Sequence, residues 1–170
     1  MDLNAETDRY FDSGSLPMKG ESCLVLIMGG CATGKTTLCR QKYSAGFVLV
    51  DAADIFISLS RGGYYEFPRA FEEPMDLIGR LVASRAISER RNIVTEIIGG
   101  DYEATSELID AMISIDYKVE LVAVTCEIEE ATRRNISRGD DNISSYFAEP
   151  YQRRWLIEAA RKIGEPLIKP

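Results

Sequence analysis

The stretch GGCATGKTT at residues 29–37 constrains this chain more than any other feature, because Gly29, Gly34, Lys35 and Thr36 meet the pattern G-x-x-x-x-G-K-[ST]. An apolar run, CLVLIM at residues 23–28, precedes it, and a helix-period segment at residues 35–43 follows. Strand, glycine loop and helix in that order allow backbone N–H groups to turn inward around an anion, and the helix N-terminus adds partial positive charge. The loop residues Gly29, Gly30, Cys31, Ala32, Thr33, Gly34, Lys35, Thr36 and Thr37 are therefore expected to cradle phosphate. Lys35 is expected to reach the β- and γ-phosphates of ATP or GTP, Thr36 to offer its hydroxyl to Mg2+, and Thr37 to bond the α-phosphate.

Three more short apolar runs follow: FVLV at 47–50, IVT at 93–95 and VELVAV at 119–124. Helix-period segments at about 71–89, 102–115, 127–137 and 149–163 separate or follow them. Alternation of buried strands and helices predicts an α/β three-layer sandwich with a mostly parallel sheet of four or five strands. Residues 1–21 are polar, carry Gly14, Pro17 and Gly20 without regular period, and read as a flexible or loosely docked N-terminal arm to a single domain at 22–170. RGDDNISSYFAEP at about 138–150 reads as a mobile lid. The closing EPLIKP leaves room for a minimal final strand or none.

With 45% apolar and 28% charged residues, 170 residues suffice for one cored domain. The net charge of −7 argues against a nucleic-acid surface, which needs a dense Lys/Arg face. The acidic start lacks the features of a secretory signal and no apolar run reaches membrane-spanning length, so a cytoplasmic location and no membrane contact are expected. Cys23, Cys31, Cys39 and Cys126 form no C-x-x-C pair and are expected as thiols. No histidine is present, which excludes a histidine base or a His-ligated zinc and leaves a carboxylate as proton acceptor.

Carboxylates stand where they are needed. Asp51 and Asp54 follow the second strand and Glu96 ends the third, and ligands in parallel sheets bind beyond the carboxyl ends of strands. There they hold Mg2+ or accept a hydroxyl proton. Asp51 equally suits capping of the next helix, and Glu96 a structural role. Arg133, Arg134 and Arg138 follow the fourth strand as candidates to neutralise charge on a transferring phosphoryl group. Arg133 and Arg134 are adjacent and cannot both face one site; Arg138, opening the lid, is preferred. Neither an N-K-x-D base-reading motif nor a D-E metal motif occurs, so a GTPase switch or a motor ATPase is disfavoured.

From LIMGGCATGKTTL, VLVDAADIF, NIVTEIIG and YKVELVAVTCEIEEATRRNISR, the chain resembles the zeta-toxin family of small-molecule kinases over residues 24–138. That fold is close to nucleoside monophosphate kinases and chloramphenicol phosphotransferase. VLVDAADIF stands where the family has a strand and D-x-D-x-[FY], and NIVTEIIG where it has an apolar strand ending in E-G-T. The resemblance implies ATP- or GTP-dependent phosphorylation of a sugar-nucleotide hydroxyl, a post-strand aspartate base matched best by Asp54, and an antitoxin protein partner. DAAD is one residue longer than D-x-D, and IIG replaces the residues after Glu96, so the choice between Asp51 and Asp54 and the acceptor itself stay open. A non-catalytic nucleotide-binding module and a hydrolytic NTPase are the competing readings.

Overall fold

The computed structural model describes residues 3–11, 20–59, 72–137 and 167–168. Strand β1 (Ser22–Met28) is central and pairs in parallel with β3 (Asn92–Ile97) on one side and β4 (Tyr117–Val124) on the other. Strand β2 (Phe47–Val50) extends the sheet beyond β3, and the two-residue β5 (Leu167–Ile168) beyond β4, giving the order β2-β3-β1-β4-β5 with every pairing parallel. A parallel central strand must be covered on both faces, which is why CLVLIM is continuously apolar rather than alternating.

Successive β1 side chains point to opposite faces, and the core divides accordingly. Leu24, Leu26 and Met28 join Ile55 of α3 (Ala52–Leu59), Ile78, Val82 and Ala86 of α4 (Glu72–Ser88), and Met112 of α5 (Tyr102–Ser114). Val25 and Ile27 pack with Leu38 and Cys39 of α2 (Lys35–Lys42) on the other face. Helix α6 (Ile128–Ile136) follows β4 and buries Ala131. The three-layer α/β architecture expected from the alternating runs is present. The expected helix at 149–163 and the lid at 138–150 lie outside the described residues.

Residues 3–11 of the N-terminal arm pack against the domain. A helix, α1 (Leu3–Asp8), docks against the domain where the sequence has no long apolar period. Tyr10, only 6% exposed, joins the core beside α4, and Phe11 packs at its edge. Ser58 Oγ donates to Glu6 at 2.5 Å, Arg85 pairs with Asp8 at 2.5 Å, and the Arg85 guanidinium lies 4.2 Å over the Phe11 ring. Two aromatic anchors and cross-element polar contacts hold a segment too short to show helical periodicity.

Candidate active site

The loop between β1 and α2 is built around two glycines. A Cβ at Gly29 would come within 2.6 Å of the Val124 carbonyl oxygen and 2.7 Å of Thr33 Oγ1, so only glycine lets the chain pass the end of β4. Its N–H donates to Ile97 O at 3.2 Å, which seats the loop on the end of β3 as well. Gly34 has φ 106° and caps α2 in the left-handed region, where a side chain is strained. No side chain caps this helix and no acid occupies its first turn, so its N–H groups and positive end suit an anion.

Lys35 Nζ donates to Gly29 O at 2.8 Å and to Gly30 O at 2.9 Å, which folds the ammonium over the loop. Thr33 is buried and its hydroxyl donates to Gly30 O at 2.9 Å, bracing the turn. Thr36 Oγ1 donates to Glu96 Oε2 at 2.9 Å. The hydroxyl of the loop and the carboxylate at the end of β3 therefore meet. Burial, and next the charge of Asp51, push the Glu96 carboxyl above its ordinary value against the opposing Thr36 bond, Lys35 and Arg40.

Asp51 takes the capping role. Its Oδ1 accepts from Ala53 N at 3.2 Å and its Oδ2 from Asp54 N at 3.3 Å, closing the first turn of α3. Burial raises its carboxyl above the ordinary range despite those two amides, and Lys35 draws it back. Cys39 responds to the same charges: burial first, then Glu96 and Asp51, raise its thiol to about 11. Lys35, Thr36, Cys39, Asp51 and Glu96 thus share one electrostatic neighbourhood at the carboxyl edge of the sheet. Asp54 adjoins this group through Asp51, but its Oδ2 faces the N-terminal segment and accepts from Arg9 Nη2 at 3.1 Å. No sequence signal pointed to Arg9, because its partner lies 45 residues away.

Arg133 and Arg134 both bond Glu130, at 2.8 and 2.7 Å, which draws that carboxyl below its ordinary value. Arg133 is 72% exposed and Arg134 37%, and both converge on that one carboxylate. Arg138 lies outside the described residues. No disulfide links the four cysteines. Among the described residues no helix is long and apolar enough to cross a membrane, and no group of three His, Cys, Asp or Glu side chains is placed to hold a metal. Mg2+ needs no such cage: one or two protein oxygens and the substrate phosphates suffice, and the Thr36 hydroxyl with the Glu96 carboxylate are hard oxygen donors of the right kind.

No protein-family model and no curated protein sequence matches the chain. Solved structures do. A chain from the PezAT chromosomal toxin–antitoxin system of the human pathogen Streptococcus pneumoniae superposes with a TM-score of 0.68 at 17% identity, over 96% of this chain and 73% of that one. The AvrRxo1-ORF1:AvrRxo1-ORF2 complex with sulphate ions gives 0.68 at 19% identity, over 93% of this chain but 58% of the other. A chain of the Pnkp1/Rnl/Hen1 RNA repair complex gives 0.56 at 15% identity, over 89% of this chain and 50% of that one. At such identities the likeness is one of fold: the chain shares the parallel α/β architecture of the PezAT and AvrRxo1 structures.

Proposed function

We propose that the chain is a phosphotransferase that moves the γ-phosphoryl group of ATP or GTP to a hydroxyl of a small molecule. The observation that carries this reading is the complete phosphate loop with Lys35 folded over it and the Thr36–Glu96 pair at its edge. Lys35 and the α2 N-terminus hold the β- and γ-phosphates and offset the charge that spreads over the transferred group. Thr36 and Glu96 would hold Mg2+, which supplies further neutralisation of the phosphate oxygens. In transfer, the acceptor oxygen forms a bond to the γ-phosphorus, the bond to the β-phosphate oxygen breaks, and the nucleoside diphosphate leaves. The acceptor proton passes to a carboxylate, for which Asp54 is the proposed base, with Asp51 second because its two oxygens already serve α3. Arg138, with Arg134 or Arg133, is proposed as the clamp on the transferred group.

A nucleotide sugar, as in the zeta toxins, is the proposed acceptor by resemblance, and an antitoxin-like protein the proposed partner. The partner is supported by the toxin–antitoxin and two-component complexes among the similar structures, and ATP as donor by the AvrRxo1 complex described with ATP; the nucleotide sugar rests on the sequence resemblance alone. A nucleotide-binding module without transfer is the second reading, favoured by the engagement of Asp51 with α3 and of Asp54 with Arg9. Incubation with γ-labelled ATP or GTP and a metabolite extract decides between them. Label in a metabolite is expected; label released only as inorganic phosphate indicates an NTPase, and no release at all the binding module.

A further inference from the structure

A cavity of about 240 Å³ opens between the N-terminal segment, α2, β2 and α3, and no residue of the 29–37 loop lines it. Arg9 and Tyr10 of the N-terminal segment, Asp54 of α3, Arg40 of α2, Tyr43 just beyond it and Phe47 of β2 line it. Two guanidinium groups face one carboxylate, so the lining favours an anion. Tyr43 and Phe47 meet edge to face, their ring centroids 5.1 Å apart, and supply an aromatic wall. Cys39 and Arg40, on its α2 wall, follow Thr36 by one turn of the same helix, so the cavity lies one helical turn from the Thr36–Glu96 pair.

The two arginines are available in different ways. Arg40 is exposed and forms no salt bridge with another described residue. Arg9 is shared between Asp54 at 3.1 Å, Glu6 at 3.2 Å and the Tyr10 hydroxyl at 2.7 Å. With side chains 45% and 41% exposed, the Arg9–Asp54 pair is of the kind that contributes little stability, and an incoming phosphate or carboxylate competes for the guanidinium on favourable terms. A volume of this size suits one ring with one anionic group.

We propose that this cavity binds the acceptor of the transfer, and that the acceptor carries a single aromatic ring beside a phosphate or carboxylate. The ring lies against Tyr43 and Phe47, the anion on Arg40 and Arg9, and the hydroxyl near Asp54. Arrival of the anion draws Arg9 off Asp54, so the ligand itself releases the carboxylate that takes its proton. The acceptor role rests on the phosphotransferase reading; the binding site does not.

Calorimetric titration of nucleotide-free protein with phenyl phosphate tests the site, and methyl phosphate serves as the ringless control. Phenyl phosphate is expected to bind the intact protein more tightly than methyl phosphate, and Arg40→Ala to weaken it by about tenfold or more, since a hydrogen bond to a charged group is lost. Arg40 is exposed, so its truncation spares the core. Lys35→Ala is expected to leave phenyl phosphate binding unchanged while removing ATP affinity. Equal affinity in Arg40→Ala, equal affinity for methyl phosphate, or loss of binding in Lys35→Ala, which would seat the phosphate in the glycine loop, each overturns the proposal. Failure of the donor reading has another signature: the intact protein then binds no ATP although phenyl phosphate still binds through Arg40, and the acceptor role alone is lost.

Discussion

Glu96 illustrates what one residue contributes to and costs this fold. Its carboxyl is raised above the ordinary 4.5 by burial and by Asp51, so the folded state holds the proton to higher pH than the unfolded chain does. Stability from this group is therefore present below the unfolded value and is lost as pH rises through the folded one. Glu96→Gln keeps an acceptor for Thr36 and removes the charge. It is expected to raise the melting temperature at pH 7, with the gain shrinking as pH falls through the raised folded value and largely gone by 4.5. It is also expected to weaken Mg2+-dependent nucleotide binding. A melting temperature unchanged or lowered at pH 7 contradicts the assignment. For the aspartates, Asp54→Asn is expected to keep nucleotide binding and slow transfer by about two to four orders of magnitude. Asp51→Asn should do less, because asparagine also caps helices well. Reversed effects, read from single-turnover rates, transfer the role of base to Asp51.

Among the elements, those that bury a continuous apolar run or a long amphipathic stripe are legible in the sequence, and those stabilised by partners distant in the chain are not. The run FVLV matches Phe47–Val50 end for end, and the helices read at 71–89 and 102–115 are Glu72–Ser88 and Tyr102–Ser114. The strand read at 93–95 runs Asn92–Ile97, because Asn92 uses its side-chain oxygen to accept Cys23 N and so enters the sheet despite its polarity. At the site, the loop is legible because its glycines follow from local backbone geometry. The Asp54–Arg9 pair is not, because it depends on where α1 docks. The segment that follows α1 also carries a prediction. Tyr10→Ala is expected to cost about 3 kcal/mol, as large-to-small changes at buried aromatics do, seen as a lower urea midpoint without a change in slope. A shift under a few tenths of a molar would mean that the N-terminal segment adds nothing to the core.

At the scale of the whole molecule, the two faces of the sheet are buried by different helices, but β1 belongs to both cores, so neither is expected to open alone. Cys39, buried on the α2 face with its thiol raised to about 11, offers a probe of that face. At pH 8 iodoacetamide is expected to label it more slowly than the half-buried Cys31 and Cys126, because little of it is thiolate and little is exposed. Labelling of Cys39 as fast as theirs would show that its burial on the α2 face does not protect it. Helix α4, β3 and β4 are further joined by Arg90, whose guanidinium donates to Ile115 O at 2.6 Å and Asp116 O at 2.9 Å from the turn after α4.

The close passage of Gly29 past the Val124 carbonyl sets a mechanical limit on the loop. With no room for even one methyl group toward β4, and with its N–H tied to Ile97, the loop is an inelastic seat, stiff on the side of the sheet. Any adjustment to a ligand must be made outward, by the α2 end of the loop and by side chains such as Lys35. The first glycine then acts as an anvil and not as a hinge: its amide should relax like those of β4, whatever occupies the site.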